Sequence, residues 1–107
     1  MRKIKFRVWI KRAQQMATWE EIQQRKNIHR LLDNGEYQLM QYTGLSDKNG
    51  VDIYERDVVT LDNRETFKEI KWWVGGYYFD DGSPVSDYTN IEVIGNIYEN
   101  PELIGDI

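Results

Sequence analysis

Few residues of this chain could carry out a chemical reaction. The sequence has no cysteine and a single histidine, His29. Thiol chemistry is therefore excluded, and a serine–histidine–acid triad would need His29 together with one of three serines. These are Ser46, Ser83 and Ser86. None of them lies in a nucleophile-elbow motif, so we expect no catalytic residue and a protein that is not an enzyme.

Carboxylates are the other reactive groups, and they fall in two stretches of the sequence. These stretches hold Asp47, Asp52, Glu55 and Asp57, and then Asp80, Asp81 and Asp87. A hard cation binds such oxygens, but the segment Asp47-Lys-Asn-Gly50 places its glycine too early for a calcium loop. Turn capping and exposure to solvent explain the acids more simply. We therefore predict no metal and no cofactor.

A basic segment at the N-terminus is a candidate nucleic-acid-binding surface. The residues from Arg2 to Ile10 alternate between two faces, which is the period of a half-buried strand. One face carries Lys3, Lys5, Arg7 and Trp9. Cations can follow a phosphate backbone while an indole ring stacks on a base. The alternative is that these cations protect a sheet edge from pairing, and the strongly acidic remainder of the chain favours that alternative.

A cluster of aromatic residues is the candidate protein interface. Its members are Trp72, Trp73, Tyr77, Tyr78 and Phe79. Clustered aromatics usually form core, but the chain has 14 aromatic residues among 107, which is more than one small core readily hides. Exposed tyrosine and tryptophan are favoured interface anchors. We therefore expect a protein partner or a homo-oligomer, with nucleic acid as the alternative partner.

The elements that position these residues are mainly short strands. Beyond the N-terminal strand, β character is predicted at Tyr37–Tyr42, from Val51 or Val58 to Leu61, at Thr66–Val74, at Tyr77–Phe79 and at Ile91–Tyr98. Asn49-Gly50 and Gly75-Gly76 are predicted turns, because glycine accepts a positive φ. Gly95 interrupts the last strand and predicts a bulge or a close backbone approach.

One helix is predicted between the first two strands. Thr18-Trp-Glu-Glu21 has the pattern of a capping box, and Asp33-Asn34-Gly35 is a stop signal. The alternative is an irregular, partly extended insertion. With no cysteine to supply disulfides or thiolate zinc sites, an apolar core must stabilise the chain. We predict a single domain over residues 1–107, mainly β, as a small antiparallel β barrel (SH3-like) or a sandwich with one short helical insertion.

Three segments of the sequence resemble the YopX family of small proteins carried by phages and prophages. They are Lys3-Ile-Lys-Phe-Arg-Val-Trp9, the block from Met40 to Val59, and Glu92-Val-Ile-Gly-Asn-Ile-Tyr-Glu-Asn-Pro-Glu-Leu103. The resemblance implies a mostly β fold, a phage or prophage origin and an unassigned role, with no catalytic residue to transfer. Ile10 and Arg56 depart from the family pattern, which commonly has Asp and Gly there.

The cellular setting follows from hydropathy. No apolar run approaches the roughly 18 residues that a membrane span needs, and the N-terminus lacks the apolar core of a signal peptide. We expect a soluble protein in the cytoplasm of a bacterial host. The sequence thus predicts an accessory protein that acts by binding, most simply to protein or to itself, and alternatively to nucleic acid through the basic strand.

Overall fold

The computed structural model describes residues 4–24, 35–61, 67–73, 76–85, 88 and 90–104. Its elements are β1 (Phe6–Ile10), β2 (Gln15–Ala17), α1 (Trp19–Gln23), β3 (Tyr37–Ser46), β4 (Asp52–Tyr54), β5 (Asp57–Leu61), β6 (Phe67–Trp73), β7 (Gly76–Phe79), β8 (Ile91–Asn96) and a 3₁₀ turn at Pro101–Ile104. All the strand pairs whose register is defined are antiparallel. The predicted mainly β class with a short helix is confirmed.

The chain divides into two compact units, residues 1–42 and residues 43–107. The single domain over residues 1–107 stays a prediction. In the first unit β1 lies between β2 and β3, and Val8, Ala17 and Ile22 form its core. The strand β2 was not predicted. The chain reaches it through a turn in which Gln14 has a φ of 53°. This left-handed conformation is uncommon for residues other than glycine, so the residue type did not predict the turn.

The predicted capping box is present at the start of α1. The Thr18 hydroxyl accepts a hydrogen bond from the Glu21 backbone N–H at 3.3 Å, and the Glu21 carboxylate accepts one from the Thr18 N–H at 3.3 Å. This reciprocal pair satisfies two N–H groups that the helix itself leaves without partners. The later part of the predicted helix, including His29, lies outside the described residues.

The second unit is built around a four-stranded sheet in the order β7-β6-β5-β8. Its interior strand β5 is buried at every residue, because two neighbouring strands cover its edges and side chains cover its faces. The core consists of Ile53, Val59, Leu61, Ile70, Phe79, Val85 and Ile91. The C-terminal 3₁₀ turn at Pro101–Ile104 packs beside β6, within the second unit.

Two glycine predictions are confirmed in this unit. Gly50 has a φ of 82° in the turn before β4. At Gly95 the register of β8 against β5 shifts between Val58 and Val59, which is the predicted bulge. A Cβ atom on Gly95 would also collide with the side chain of Asn100. The predicted bulge at Gly95 therefore occurs, and the group that lies close to Gly95 is a side chain and not another backbone segment.

Candidate functional site

The β6–β7 hairpin carries one sheet face from the core to the surface. Ile70 pairs with Phe79, and two residues further along Trp72 pairs with Tyr77. Alternate residues share a face, so these four side chains lie on the same side of the hairpin. Ile70 and Phe79 are buried, whereas Trp72 is 51% exposed. Trp72 meets the Tyr77 ring edge-on at 4.9 Å between centroids, which holds the indole at the surface in a defined orientation.

The opposite face of the same hairpin pairs Lys71 with Tyr78. The Tyr78 ring lies over Gly76, where an added Cβ atom would be 3.5 Å from Tyr78 Cε2. An aromatic ring that covers a glycine on the same strand face shields backbone that would otherwise be exposed. Tyr78 is therefore half-buried in a fixed position, and its ring contributes a wall to the adjoining cleft.

A cleft of about 480 Å³ opens at the end of this hairpin, where β7 leads into the following loop. It is lined by Lys71, Trp72, Tyr78, Phe79, Asp80 and Gly82. Its volume lies within the range of small-ligand sites, and its combination of aromatic walls with a few charged groups is typical of binding sites. We call this the aromatic cleft.

Four polar side chains of the aromatic cleft make no hydrogen bond with the described residues. Among these residues, neither Lys71 nor Asp80 takes part in an ion pair, and the Trp72 indole N–H and the Tyr78 hydroxyl have no hydrogen-bond partner. Most other described carboxylates of the second unit are bonded. Four groups with unused hydrogen-bonding capacity at one cleft can be satisfied by a bound partner or by water.

The loop at the rim of the cleft is held by Asp81. Its carboxylate accepts hydrogen bonds from Lys68 Nζ at 2.5 Å, from the Ser83 hydroxyl at 2.6 Å and from the Ser83 N–H at 2.9 Å. The Lys68 contact and the two from Ser83 lower the pKa of Asp81, and the Asp81 contact raises the pKa of Lys68. Asp80, the neighbouring carboxylate, also interacts electrostatically with Lys68, and it lines the cleft.

The predicted aromatic set divides on this surface. Trp72 is exposed, and Tyr77 and Tyr78 are half-buried. Phe79 is 2% exposed and belongs to the core, so it forms the floor of the cleft and offers little surface for contact. The backbone of Trp73 pairs with Gly76, but its side chain lies outside the described part of the structure.

The residues predicted to bind nucleic acid are less exposed to solvent than the alternating strand pattern suggests. Lys5 and Arg7 are half-buried, and the Lys5 ammonium lies 4.6 Å from the centroid of the Tyr42 ring, a cation–π distance. Trp9 is 5% exposed, so its ring does not present a face on which a base could stack. Lys3 lies outside the described residues.

The central carboxylates are used to satisfy backbone groups. The Asp47 carboxylate accepts hydrogen bonds from the N–H groups of Asn49 at 2.8 Å, Val51 at 2.9 Å and Val93 at 2.9 Å. Asp57 is buried and accepts one from the Tyr54 N–H at 2.8 Å. Among the described residues, no three acidic or histidine side chains come together as metal ligands. These acids have the capping role that their positions in turns predict.

Burial by itself raises the pKa of Asp47, because it disfavours the charged form. The three backbone N–H donors and the nearby Lys48 more than offset that effect, and the pKa of Asp47 is lowered. The carboxylate is therefore charged at neutral pH, although it is only 7% exposed. A charged acceptor strengthens each of its three hydrogen bonds.

The sequence did not identify Lys71, Asp80 and Gly82 as parts of a site, and it did not single out the exposed turn that carries Lys11 and Arg12. The hairpin register brings Lys71 of β6 close to Asp80, which lies in the loop after β7. The Gly75-Gly76 turn signal would not have given that register, because Gly76 belongs to β7 and pairs with Trp73, whereas a two-residue loop at Gly75-Gly76 predicts Val74 opposite Tyr77.

With this geometry described, comparison with known proteins becomes informative. The family model described as YopX protein matches residues 5–105. The chain belongs to the YopX family. No curated protein sequence matches the chain significantly. The chain is also similar to protein EF1440 from Enterococcus faecalis, whose crystal structure has a TM-score of 0.74 at 25% identity over 97% of this chain and 99% of that chain.

The motif residues that this chain shares with the YopX family have structural roles here. The Thr43 hydroxyl donates to the Ile53 carbonyl at 2.7 Å. Asn96 Oδ1 accepts from the N–H groups of Tyr98 at 3.0 Å and Glu99 at 2.9 Å. Together with Asp47, these side chains stabilise turns and strand ends, and none of them lines the aromatic cleft.

Within the described part of the chain, no helix has the length and apolar character that crossing a membrane requires.

Proposed function

We propose that this YopX-family protein acts by binding another protein at the aromatic cleft. The observation that carries the proposal is Trp72, which is 51% exposed although it is held in place by Tyr77. A pre-oriented aromatic side chain loses little conformational entropy on binding, and tryptophan and tyrosine are the residues most enriched at the energetic centres of interfaces.

Binding accounts for the site better than catalysis does. The buried carboxylates Asp47 and Asp57 accept hydrogen bonds from the backbone of their own unit. The groups at the aromatic cleft are a lysine, an aspartate and three aromatic rings, which suit recognition by stacking and ion pairing. We therefore propose a non-enzymatic protein with no cofactor.

The resemblance that the sequence carries extends the proposal to a biological setting. We propose an accessory protein of phage or prophage origin that acts in the cytoplasm of a bacterial host. Its partner is a protein of that host or phage, or a second copy of the chain.

A tagged pull-down from a bacterial lysate tests the proposal when Trp72→Ser is compared with Val51→Ser. Val51 is 48% exposed and does not line the cleft, so it is a matched control for loss of exposed apolar surface. A central aromatic anchor contributes about 2 kcal/mol or more, which is about 30-fold in affinity. Trp72→Ser should lose the partner, while Val51→Ser should retain it after nuclease treatment.

Equal retention by both variants, with unchanged urea midpoints, would show that the aromatic cleft is not the binding surface. The alternative function is a nucleic-acid-binding module that uses Lys3, Lys5 and Arg7. Its supporting observation is that residues 1–12 hold six basic residues and no acid, which matches the charge of a phosphate backbone. Recovery that disappears with nuclease, and weakens when Lys3, Lys5 and Arg7 are changed to serine, would favour it.

A further inference from the structure

The two compact units carry opposite net charges. Residues 1–42 contain nine Lys and Arg against four Asp and Glu, whereas residues 43–107 contain five against fourteen. The formal charges are therefore +5 and −9. Such a dipolar chain can attract another copy of itself by bringing unlike units together.

An exposed basic turn projects from the first unit. Residues 11–14 connect β1 to β2, and all four are exposed. Within the described residues, the side chains of Lys11 and Arg12 take part in no ion pair. The turn is anchored by a hydrogen bond from Gln14 Nε2 to the Lys11 carbonyl at 2.8 Å. It therefore presents two cations on a short, defined projection.

An acidic acceptor lies in the second unit at the aromatic cleft. Among the described carboxylates of that unit, Asp80 and Glu102 alone lack a hydrogen bond or an ion pair. Asp80 lines this cleft together with Trp72 and Tyr78. A guanidinium group matches this arrangement, because it can stack on an aromatic face and pair with a carboxylate at the same time.

We propose that this protein self-associates head to tail, with Arg12 in the basic turn of one copy entering the aromatic cleft of the next. The inference rests on the proposed function, since both use the same cleft, and it identifies the occupant as a second copy of the chain. Two different surfaces meet, so the assembly is a reciprocal pair, a ring or an open chain.

Lys71 provides a test of the sign of the occupant's charge. Lys71 lines the same cleft, and it forms no ion pair with the described carboxylates. A cationic occupant is repelled by Lys71, whereas an anionic one is attracted. Lys71→Ser should therefore strengthen self-association, by about threefold for one exposed charge.

Sedimentation velocity on the full chain is the decisive experiment. We expect association between about 5 and about 200 µM protein at about 50 mM NaCl, and its weakening at about 500 mM NaCl. Arg12→Glu and Asp80→Arg should each weaken association about 10-fold or more. A mixture of the two variants should associate again, because each supplies the charge that the other needs. Glu102→Arg makes the same charge change away from the cleft and should have a smaller effect.

Three results would overturn the inference. They are a monomer at every concentration, equal effects of Asp80→Arg and Glu102→Arg, and no recovery in the mixture of charge-reversed variants. A weakening by Lys71→Ser would also count against a cationic occupant. The proposed function is tested separately by Trp72→Ser. Loss of a heterologous partner in that variant, with a chain that stays monomeric, would retain protein binding and reject self-association.

Discussion

Replacing Asp47 by asparagine removes one charge from a buried carboxylate that joins two distant parts of the chain. Oδ1 accepts hydrogen bonds from the N–H groups of Asn49 and Val51, and Oδ2 accepts the N–H of Val93. An asparagine that keeps the first two contacts places its NH₂ group against the Val93 N–H. Two donors then face each other, and the edge of β8 loses its acceptor.

The magnitude follows from these three contacts. A hydrogen bond to a charged group contributes about 1.5 to 3 kcal/mol, and one between neutral groups about 0.5 to 1.5 kcal/mol. Asp47→Asn loses one bond of the first kind and converts two others to the second kind. Part of this loss is offset because a buried charge no longer has to be desolvated. We expect the free energy of unfolding to fall by about 3 kcal/mol.

Urea denaturation at neutral pH measures this loss. With a slope of about 1.5 kcal/mol per molar, the midpoint should fall by about 2 M. Glu102→Gln is the control, because Glu102 is exposed and makes no hydrogen bond or ion pair with the described residues, and its midpoint should not change measurably. Hydrogen exchange at the Val93 amide gives a local readout, since that amide should lose protection in Asp47→Asn.

The pH dependence provides a second test of the same reasoning. The pKa of Asp47 is lowered in the folded chain, so its contribution is fully present above the pKa of the unfolded state. That contribution is lost as the pH falls below about 4 and through the folded pKa. The difference between the natural chain and Asp47→Asn should therefore shrink in acid. A loss under about 1 kcal/mol, or a difference independent of pH, would refute the role assigned to Asp47.

Three further changes test individual contacts by urea denaturation. Arg56 has a φ of 72° and pairs through Nη1 with the buried Glu69 carboxylate at 3.0 Å. Arg56→Gly should be more stable than Arg56→Ala by about 1 kcal/mol, because glycine tolerates that φ, and the reverse order would contradict the backbone assignment. Gly95→Ala should cost about 2 kcal/mol because its Cβ collides with Asn100, and a neutral result would show that Asn100 moves aside without loss. Thr18→Ala should cost about 1 kcal/mol through loss of the helix cap, and no change would mean that the cap is dispensable.

Arg56 links the sequence-level family pattern to backbone geometry. The resemblance to the family implies glycine at this position, and the residue before Asp57 takes a positive φ that glycine adopts without strain. Its N–H donates to the Ile70 carbonyl at 2.7 Å, and its carbonyl accepts from the Ile97 N–H at 3.1 Å. The arginine is held in this conformation by a contact with β6 and a contact with the residue that follows β8. The observation explains the predicted departure at Arg56; the structure gives no comparable account of Ile10.

Local chemistry made several elements predictable. The alternation in β1, the Asn49-Gly50 turn, the Thr18 capping box and the Gly95 bulge each depend on residues that are neighbours in the sequence, and each is present. Turns and caps are predictable for this reason, because their hydrogen bonds close within a few residues. The antiparallel β class follows from the close spacing of the strands.

Burial was decided by tertiary structure. Val8 and Trp9 point to opposite faces of β1, yet both are buried. Alternation shows which residues share a face, but it does not show whether that face is covered. For the same reason the sequence did not distinguish Phe79, which is in the core, from Trp72, which is at the surface, although both belong to one aromatic run.

The sequence by itself determined the fold class, the main turns, the charge difference between the two ends and the membership in a family. The tertiary structure decided how Asp47 meets Val93, 46 residues away, and how Lys71 and Asp80 come to share a cleft with Trp72. The physical reason is range. Strand periods and turns arise from adjacent residues, whereas exposure and long-range hydrogen bonds depend on which distant segments pack together.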